Sequence, residues 1–492
     1  MKLLSLAIVL GLVTVVSAEP KVRGTWMTTT ANDAISTPAK TAESMATLKE
    51  LGLNTVYVEC WKNGYTEFPS ETMDELIGVP MKINAAPAEL QRDLLQETVI
   101  EAHRNGLIVV AWFEYGFMAS FKDTNNELRA IADEKGWLTR TKDGEVVGEQ
   151  NPFVWMNPLH PGPQQLLLDI TLEAVDQYDL DGVQLDDRIA MPTEMGYDDY
   201  TVALYQSEHD GRSPPEDPRD PQWVKWRADK VTEYAERFAR ELKTRRPGLI
   251  VSVSPAPHPW SLSNYACNWV EWQDQAWDEF IPQAYRTTYG SFEPTIHEQA
   301  VRIESNRRED LIAGIMMNGS GKLVSPLGMA GAMMAFDEDR EKENYEERAE
   351  RLRKQLDAFL DVSRDALFED IEKSMETASD YGGGWVLWFS RGVLDVYPEE
   401  LAGLNLEPVD NPHFPADWRP MPIVAEQSGG WSVTVEEAGT FRVIAKVDGQ
   451  WQRLPKSVDL EAGEHQIDAP DDAEAVELLV DRRPQMAEVV QR

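Results

Sequence analysis

The sequence predicts an α/β protein, a (β/α)8 barrel followed by a small C-terminal all-β module. Two observations carry that reading: short apolar runs alternate with amphipathic helical stretches eight times, and beyond residue 405 the texture changes to prolines and then to short alternating segments. An open doubly wound sheet would also alternate strand and helix. Eight units without a GxGxxG turn after the first strand favour ring closure.

In chain order the strands are expected at 22–28, 54–61, 107–115, 181–187, 249–255, 279–285, 310–317 and 383–389, a barrel over residues 21–405. Stretches such as "PAKTAESMATLKELG" and "LQRDLLQETVIEAHRNG" read as the intervening helices, with Gly52, Gly106 and Gly248 expected as C-terminal caps. The loops after strands three, four and seven (116–162, 188–220 and 318–350) are long, and loops that follow strands form the face where barrels build active sites. Residues 406–425, rich in proline, read as a linker or a strap. Residues 426–492 read as a small β-sandwich-like domain.

Residues 1–18, "MKLLSLAIVLGLVTVVSA", have a basic start, an apolar run and small residues ending at Ala18, the anatomy of a secretory signal peptide. The apolar run is shorter than the roughly 20 residues of a spanning helix. A secreted or periplasmic protein without stable membrane insertion is therefore expected. The net charge of −38 excludes nucleic acid as a natural partner, because phosphates would be repelled. Two cysteines, Cys60 and Cys267, and no HExxH or CxxC spacing leave no zinc motif, and no cofactor is implied. A disulfide between the two is not required in a chain of 492 residues.

Strand parity turns this frame into a site. In "DGVQLDD", Val183 and Leu185 share one face while Gln184 and Asp186 share the other, so Asp186 should look into the barrel at its C-terminal rim, with Asp187 starting the loop. A brace between Asp186 and Arg188 would explain the pair without chemistry. The same parity groups Tyr57, Glu59 and Trp61 on strand two, Trp112 and Glu114 on strand three, and Gln283 and Tyr285 on strand six. Glu59, Glu114, Asp186 and Asp187 thus form a rim, ringed by Trp26, Trp61, Trp112, Tyr115, Tyr285 and Trp388. Carboxylates among aromatic platforms suit a polysaccharide or oligosaccharide. Hydrolysis of a glycosidic bond needs two carboxyl groups, one protonated and one that attacks or activates water. Asp186 with Glu114 could supply both roles; alternatively Asp187 or Glu59 is the acid.

The segments "VRGTWMTT", "WMNPLHPGPQQLLLDI", "YDLDGVQLDDRIAMPTEMGYDDYTVALY" and "NWVEWQDQAWDEFIPQAYR" resemble the bacterial glycosyl-hydrolase-like family 10, long called domain of unknown function 187. The resemblance covers roughly residues 21–400 and implies an exported barrel hydrolase acting on bacterial or environmental polysaccharide. One branch of that family cleaves peptidoglycan glycan strands stripped of their peptides. The family's Asp-Asp pair falls on Asp186 and Asp187, its Asn-Pro…His-Pro loop on Asn157 and His160, and its Gln-x-Tyr on Gln283 and Tyr285. "DGVQLD" also looks like the fourth-strand signature of alpha-amylase-like barrels, whose last Asp is the nucleophile; Gln184 stands where that signature has an arginine. Arg188 departs from the aromatic residue or His that more often follows the family's acidic pair, and a cation there points to an anionic sugar. The competing readings are a non-catalytic glycan-binding barrel of the envelope and a structural envelope protein.

Overall fold

The computed structural model describes residues 21–317, 367–414 and 421–481, apart from positions 31, 84, 85, 87, 122, 123 and 150. The expected signal peptide and the whole of the strand-seven loop expected at 318–350 lie outside the described residues.

Eight parallel strands form one sheet: β1 (Val22–Met27), β2 (Thr55–Glu59), β3 (Ile108–Phe113), β4 (Gly182–Asp186), β5 (Ile250–Ser254), β6 (Glu279–Phe280), β7 (Ala313–Met316) and β8 (Gly384–Trp388). Each strand from β1 to β5 pairs with the next, β5 pairs with β6, and β8 joins β7 to β1. Parallel bridges Phe280–Leu311 and Gln283–Gly314 close the ring between β6 and β7. The barrel is closed.

The strand expected at 279–285 is regular for only two residues. Pro282 has no N–H to give a ladder. Its carbonyl still accepts from Gly314 N at 3.0 Å, so the chain keeps its place in the ring without a continuous strand.

Helices α1 (Pro38–Glu50), α2 (Leu94–Arg104), α3 (Pro161–Gln177), α4 (Pro221–Arg245) and α5 (Tyr289–Ala300) follow β1, β2, β3, β4 and β6 and cover the outside, joined by a helix over 367–381 before β8. Their starts are written in the sequence: Thr37, Asp93 and Asp220 each accept backbone N–H groups of the first turn, and Pro stands in the first turn of α1, α3 and α4. Gly52 and Gly106 adopt the expected left-handed conformation, with φ of 82° and 66°. Gly248 does not; α4 ends instead on Arg246, extended at φ −143°, ahead of Pro247.

Strand alternation sorts the core into a sleeve and a lumen. Val56, Val58, Val109, Ala111, Val183, Leu185, Val251 and Val253 meet the helices, whereas Val22, Trp26, Tyr57, Val110, Trp112, Ile250 and Val386 fill the barrel. A chain of polar groups crosses the lumen. Trp26 Nε1 donates to Gln184 Oε1 at 2.7 Å, and Gln184 Nε2 donates to Ser252 Oγ at 2.9 Å.

The end away from the strand C-termini is stoppered by the segment expected as linker or strap. Phe414 joins the lumen core, Asn411 Nδ2 donates to Thr55 Oγ1 at 2.9 Å, and His413 Nε2 lies 3.2 Å from buried Glu279. Beyond it come β9 (Ile423–Val424), β10 (Glu426–Gln427), β11 (Trp431–Val435), β12 (Gly439–Val447), β13 (Gln450–Leu460), β14 (Gly463–Ile467) and β15 (Ala475–Val480), antiparallel throughout. They make a sheet in the order β9-β15-β12-β13 and another in the order β10-β11-β14. The first of these strands begins at Ile423, inside the span expected to be linker. This module docks on α2, where Ile444 and Leu479 pack on Ile100, Arg104 pairs with Glu477 at 2.7 Å, and Arg442 pairs with Asp179 at 2.9 Å.

Candidate active site at the C-terminal mouth of the barrel

Asp186 ends β4 on the lumen face and is 1% exposed. Three groups hold it. Ser254, at the end of β5 and directly opposite in register, donates its hydroxyl to Oδ1 at 3.0 Å. Gln283 Nε2 donates to the same oxygen at 2.5 Å, and Arg188 Nη1 donates to Oδ2. The arginine missing at position 184 is thus replaced by one four residues on.

The Arg188 guanidinium also lies 3.3 Å from Asp187 Oδ1 and 3.8 Å from Glu114 Oε1. Gly116 lets the loop after β3 come this close: a Cβ there would stand 2.6 Å from the Arg188 carbonyl oxygen, and Phe117 N donates to that oxygen at 3.1 Å. One guanidinium touching three carboxylates limits their mutual separations to under about 10 Å, the span in which glycosidase carboxyl pairs work. Surrounded in this way, Arg188 is a counter-charge to acids of its own chain. That differs from the cation expected to receive an anionic sugar.

A second cation lies behind the first acids. Lys62 Nζ is 2.5 Å from Glu59 Oε2 and 3.1 Å from Glu114 Oε2. Glu59 further accepts from Thr28 Oγ1 at 2.5 Å and from Thr29 N at 3.1 Å, and Thr29 Oγ1 donates to Glu67 at 3.0 Å. Five carboxyl groups therefore crowd around two cations, and they cannot all ionise cheaply. Burial first, and then the charge of Glu114 against the pull of Lys62, push Glu59 up to about 7. Burial and then Glu59 push Glu67 up as well. Burial and then Glu114 push Asp187 up to about 7. Burial opposes the charge on Glu114 too, but Lys62 and then Arg188 overcome it and hold that carboxyl below the usual range. The mouth thus sets an Asp187 pushed toward its protonated form beside a Glu114 pushed toward its charged form, the division of labour that acid–base chemistry on a glycoside needs.

The aromatic residues divide by depth. Trp26 and Trp112 are each 1% exposed and form the floor, with centroids 6.4 Å apart. Tyr285 and Trp388 lie above them, half-buried and stacked at 5.7 Å, and present ring surface to the mouth. Trp61 is not brought to the cleft. β2 ends at Glu59 and the chain turns into the hairpin Trp61–Lys62/Tyr65–Thr66, so parity fails and the fully buried indole donates to Gly116 O from the sleeve core. Tyr115 is likewise buried, with its ring edge on Phe153 at 6.0 Å.

Asn157 and His160 also sit apart from the carboxylates. Asn157 is fully buried and donates to Asp198 and Thr201 at 2.9 and 2.8 Å. His160 is the N-cap of α3, accepting from Gly162 N at 2.9 Å, with its ring on Tyr200 at 4.5 Å.

Sequence reasoning missed Lys62, Glu67, Ser254 and Phe153. Lys62 was signalled by its spacing of three from Glu59 and Ser254 by its parity with Ser252; Phe153, whose ring lies 5.9 Å from the Arg188 guanidinium, had no local signal. Cys60 and Cys267 are both buried free thiols. Among the described residues no group of His, Cys, Asp or Glu is placed to hold a metal ion, and no helix is long and apolar enough to cross a membrane.

Residues 21–324 match the profile of the family described as glycosyl hydrolase-like 10. The chain belongs to that family. The glycosyl hydrolase DigH of Escherichia coli K12 is 25% identical over 213 residues, which are 42% of this chain and 45% of DigH. This chain therefore spans about half the length of the curated relatives it matches. Among solved structures, the glycoside hydrolase domain of PgaB (BpsB) from Bordetella bronchiseptica superposes with a TM-score of 0.51 at 14% identity, covering 80% of this chain and 99% of that one. That likeness bears on fold, and it agrees with the barrel described above.

Proposed function

We propose that this protein is an exported glycoside hydrolase that cleaves O-glycosidic bonds in a polysaccharide, peptidoglycan glycan or another environmental glycan. The observation that carries the reading is the Arg188 guanidinium gathering Asp186, Asp187 and Glu114 at the open end of a closed barrel. Membership of a glycosyl hydrolase-like family and the signal-like segment at residues 1–18 support it.

In this scheme Asp187, raised to about 7 and so partly protonated at neutral pH, gives its proton to the departing glycosidic oxygen. Asp186, fixed by Ser254, Gln283 and Arg188, faces the anomeric carbon as nucleophile or as the group that activates water. Glu114 stays ionised beside them, and its charge helps keep the proton on Asp187. Tyr285 and Trp388 give the sugar a flat apolar wall.

The test is incubation of the purified protein with a panel of polysaccharides, including denuded peptidoglycan and uronic-acid-bearing and sulfated glycans, with products read by mass. Wild type should release oligosaccharides from at least one, and Asp186→Asn should bind that glycan without cutting it. Tight binding with no products from wild type would assign the barrel to glycan capture instead.

A further inference from the structure

The loop that leaves β4 with Asp187 and Arg188 continues along a second wall. Met191 N and Thr193 N donate to the carbonyls of Tyr265 and Asn264, both at 2.9 Å, tying this loop to the short helix Trp260–Tyr265 that follows β5. Between that helix and the segment 141–151 opens a cavity of about 440 Å³, within the range of small-molecule sites.

Its aromatic wall is braced. Trp260 is 51% exposed, one of four large apolar side chains at least half exposed among the described residues, and its ring meets Tyr265 edge to face at 5.1 Å. Tyr265 in turn packs on Trp155 at 5.9 Å, and its hydroxyl accepts from Asn151 Nδ2 at 2.9 Å. Asn151 Oδ1 accepts from Trp155 Nε1 at 3.0 Å, which closes the brace. An indole held rigid with half its surface in water, at a cavity mouth, serves no packing need of the core.

The cavity lies beside the carboxylate centre, joined to it through Tyr265 and through the loop of Asp187 and Arg188, whose Pro192, Thr193 and Glu194 line it. Tyr265 lines it and also neighbours Asp187: burial first and then the Asp187 charge push its phenol up to about 12. The remaining wall is rich in acceptors, with Asp143, Glu145, Glu149 and Glu194 against Lys142 and Arg219. Lys142 is turned to Glu216, 3.3 Å away, a residue that does not line the cavity.

We propose that this cavity is a remote subsite for one sugar unit of a glycan chain, stacked on Trp260, and that it takes units bearing hydrogen-bond donors, hydroxyls or a protonated amine, in preference to uronic acids. The proposal rests on the glycan-acting reading of the barrel mouth and extends it to a chain long enough to reach both places. Such a subsite gains affinity from chain length, because each added unit binds without a new association cost.

The experiment measures binding by calorimetry for three oligosaccharide series of two to six units: N-acetylglucosamine, glucosamine and galacturonate. Wild type, Trp260→Ala and Trp260→Phe are compared. For the neutral or the amine series, wild-type affinity should climb with length, Trp260→Ala should lose about tenfold on the hexamer and nothing on the disaccharide, and Trp260→Phe should keep most of the gain. No length dependence in either series, a loss equal at all lengths, or stronger binding of galacturonate would overturn the proposal. Binding needs no turnover, so the two ideas fail separately. A Trp260-dependent length effect without hydrolysis removes the enzyme and keeps the subsite; hydrolysis indifferent to Trp260 does the reverse.

Discussion

The two ends of the barrel both bury acids, and they treat them differently. At the base, Glu279 is met by Tyr57, whose hydroxyl donates at 2.9 Å, and by His413 at 3.2 Å, under a stopper that includes Phe414. At the mouth, Glu59, Glu67, Glu114, Asp186 and Asp187 share Lys62 and Arg188, and Asp187 and Arg188 remain partly open to solvent. A sealed acid with its own partners is architecture. A surplus of acids beside an opening stores protons where a ligand can reach them.

The comparison breaks most visibly at the mouth. Asp187→Asn should cut kcat by roughly 10²–10⁴-fold, the usual worth of a general acid, with the thermal midpoint little changed. In wild type, kcat/KM should fall as pH rises through about 7, where Asp187 gives up its proton, and this alkaline limb should vanish in the variant. A limb that persists in Asp187→Asn would move the acid to another residue.

The base should respond in stability instead. Glu279→Ala leaves Tyr57 and His413 without their acceptor and should cost about 3 kcal/mol in chemical denaturation, with kcat of the folded fraction retained. Burial depresses His413, but the hydrogen bond and charge of Glu279 outweigh it and raise the imidazole above its ordinary value. A raised folded value means that this contribution is complete below the unfolded pKa of about 6.5 and disappears as pH climbs through the folded one. Stability of wild type should therefore decline above that pH more steeply than that of Glu279→Ala.

A smaller effect sharpens the electrostatics. Lys62→Met withdraws the cation between Glu59 and Glu114, so both carboxyls should titrate higher and the acidic limb of the rate profile should move up by about one pH unit. An unmoved limb would detach Glu114 from the chemistry. Smallest of all, His160→Ala should cost about 1 kcal/mol as a lost helix cap, with KM unaltered. A raised KM would bring His160 back to the sugar.

What was legible follows from periodicity. Strand–helix alternation fixes the ring, and parity turns Gln184 and Asp186 inward because a strand's side chains can point only two ways. The reading fails where regular structure ends. Trp61 lies two residues past the end of β2, in a hairpin that rotates it out of the lumen. Lys62 joins the site through a hairpin and Phe153 through an antiparallel pair with the distant strand Met118–Phe121, and no local pattern encodes how either approaches the mouth. The resemblance marks Asn157 and His160 as expected substrate-binding residues, but His160 followed by Pro161 is also a helix start, and the fold uses it as one.

The strap has a practical consequence. Residues 407–414 do more than connect: Arg23 Nη1 donates to the Glu407 carbonyl at 2.7 Å, Lys21 N to that of Asp410 at 2.9 Å, and Phe414 enters the barrel itself. Trimming the chain at residue 405, where strand and helix alternation stops, would pull the cork and wet the lumen from below. The smallest self-sufficient barrel therefore extends at least through Phe414, and anyone shortening this protein to isolate the barrel should cut beyond that ring.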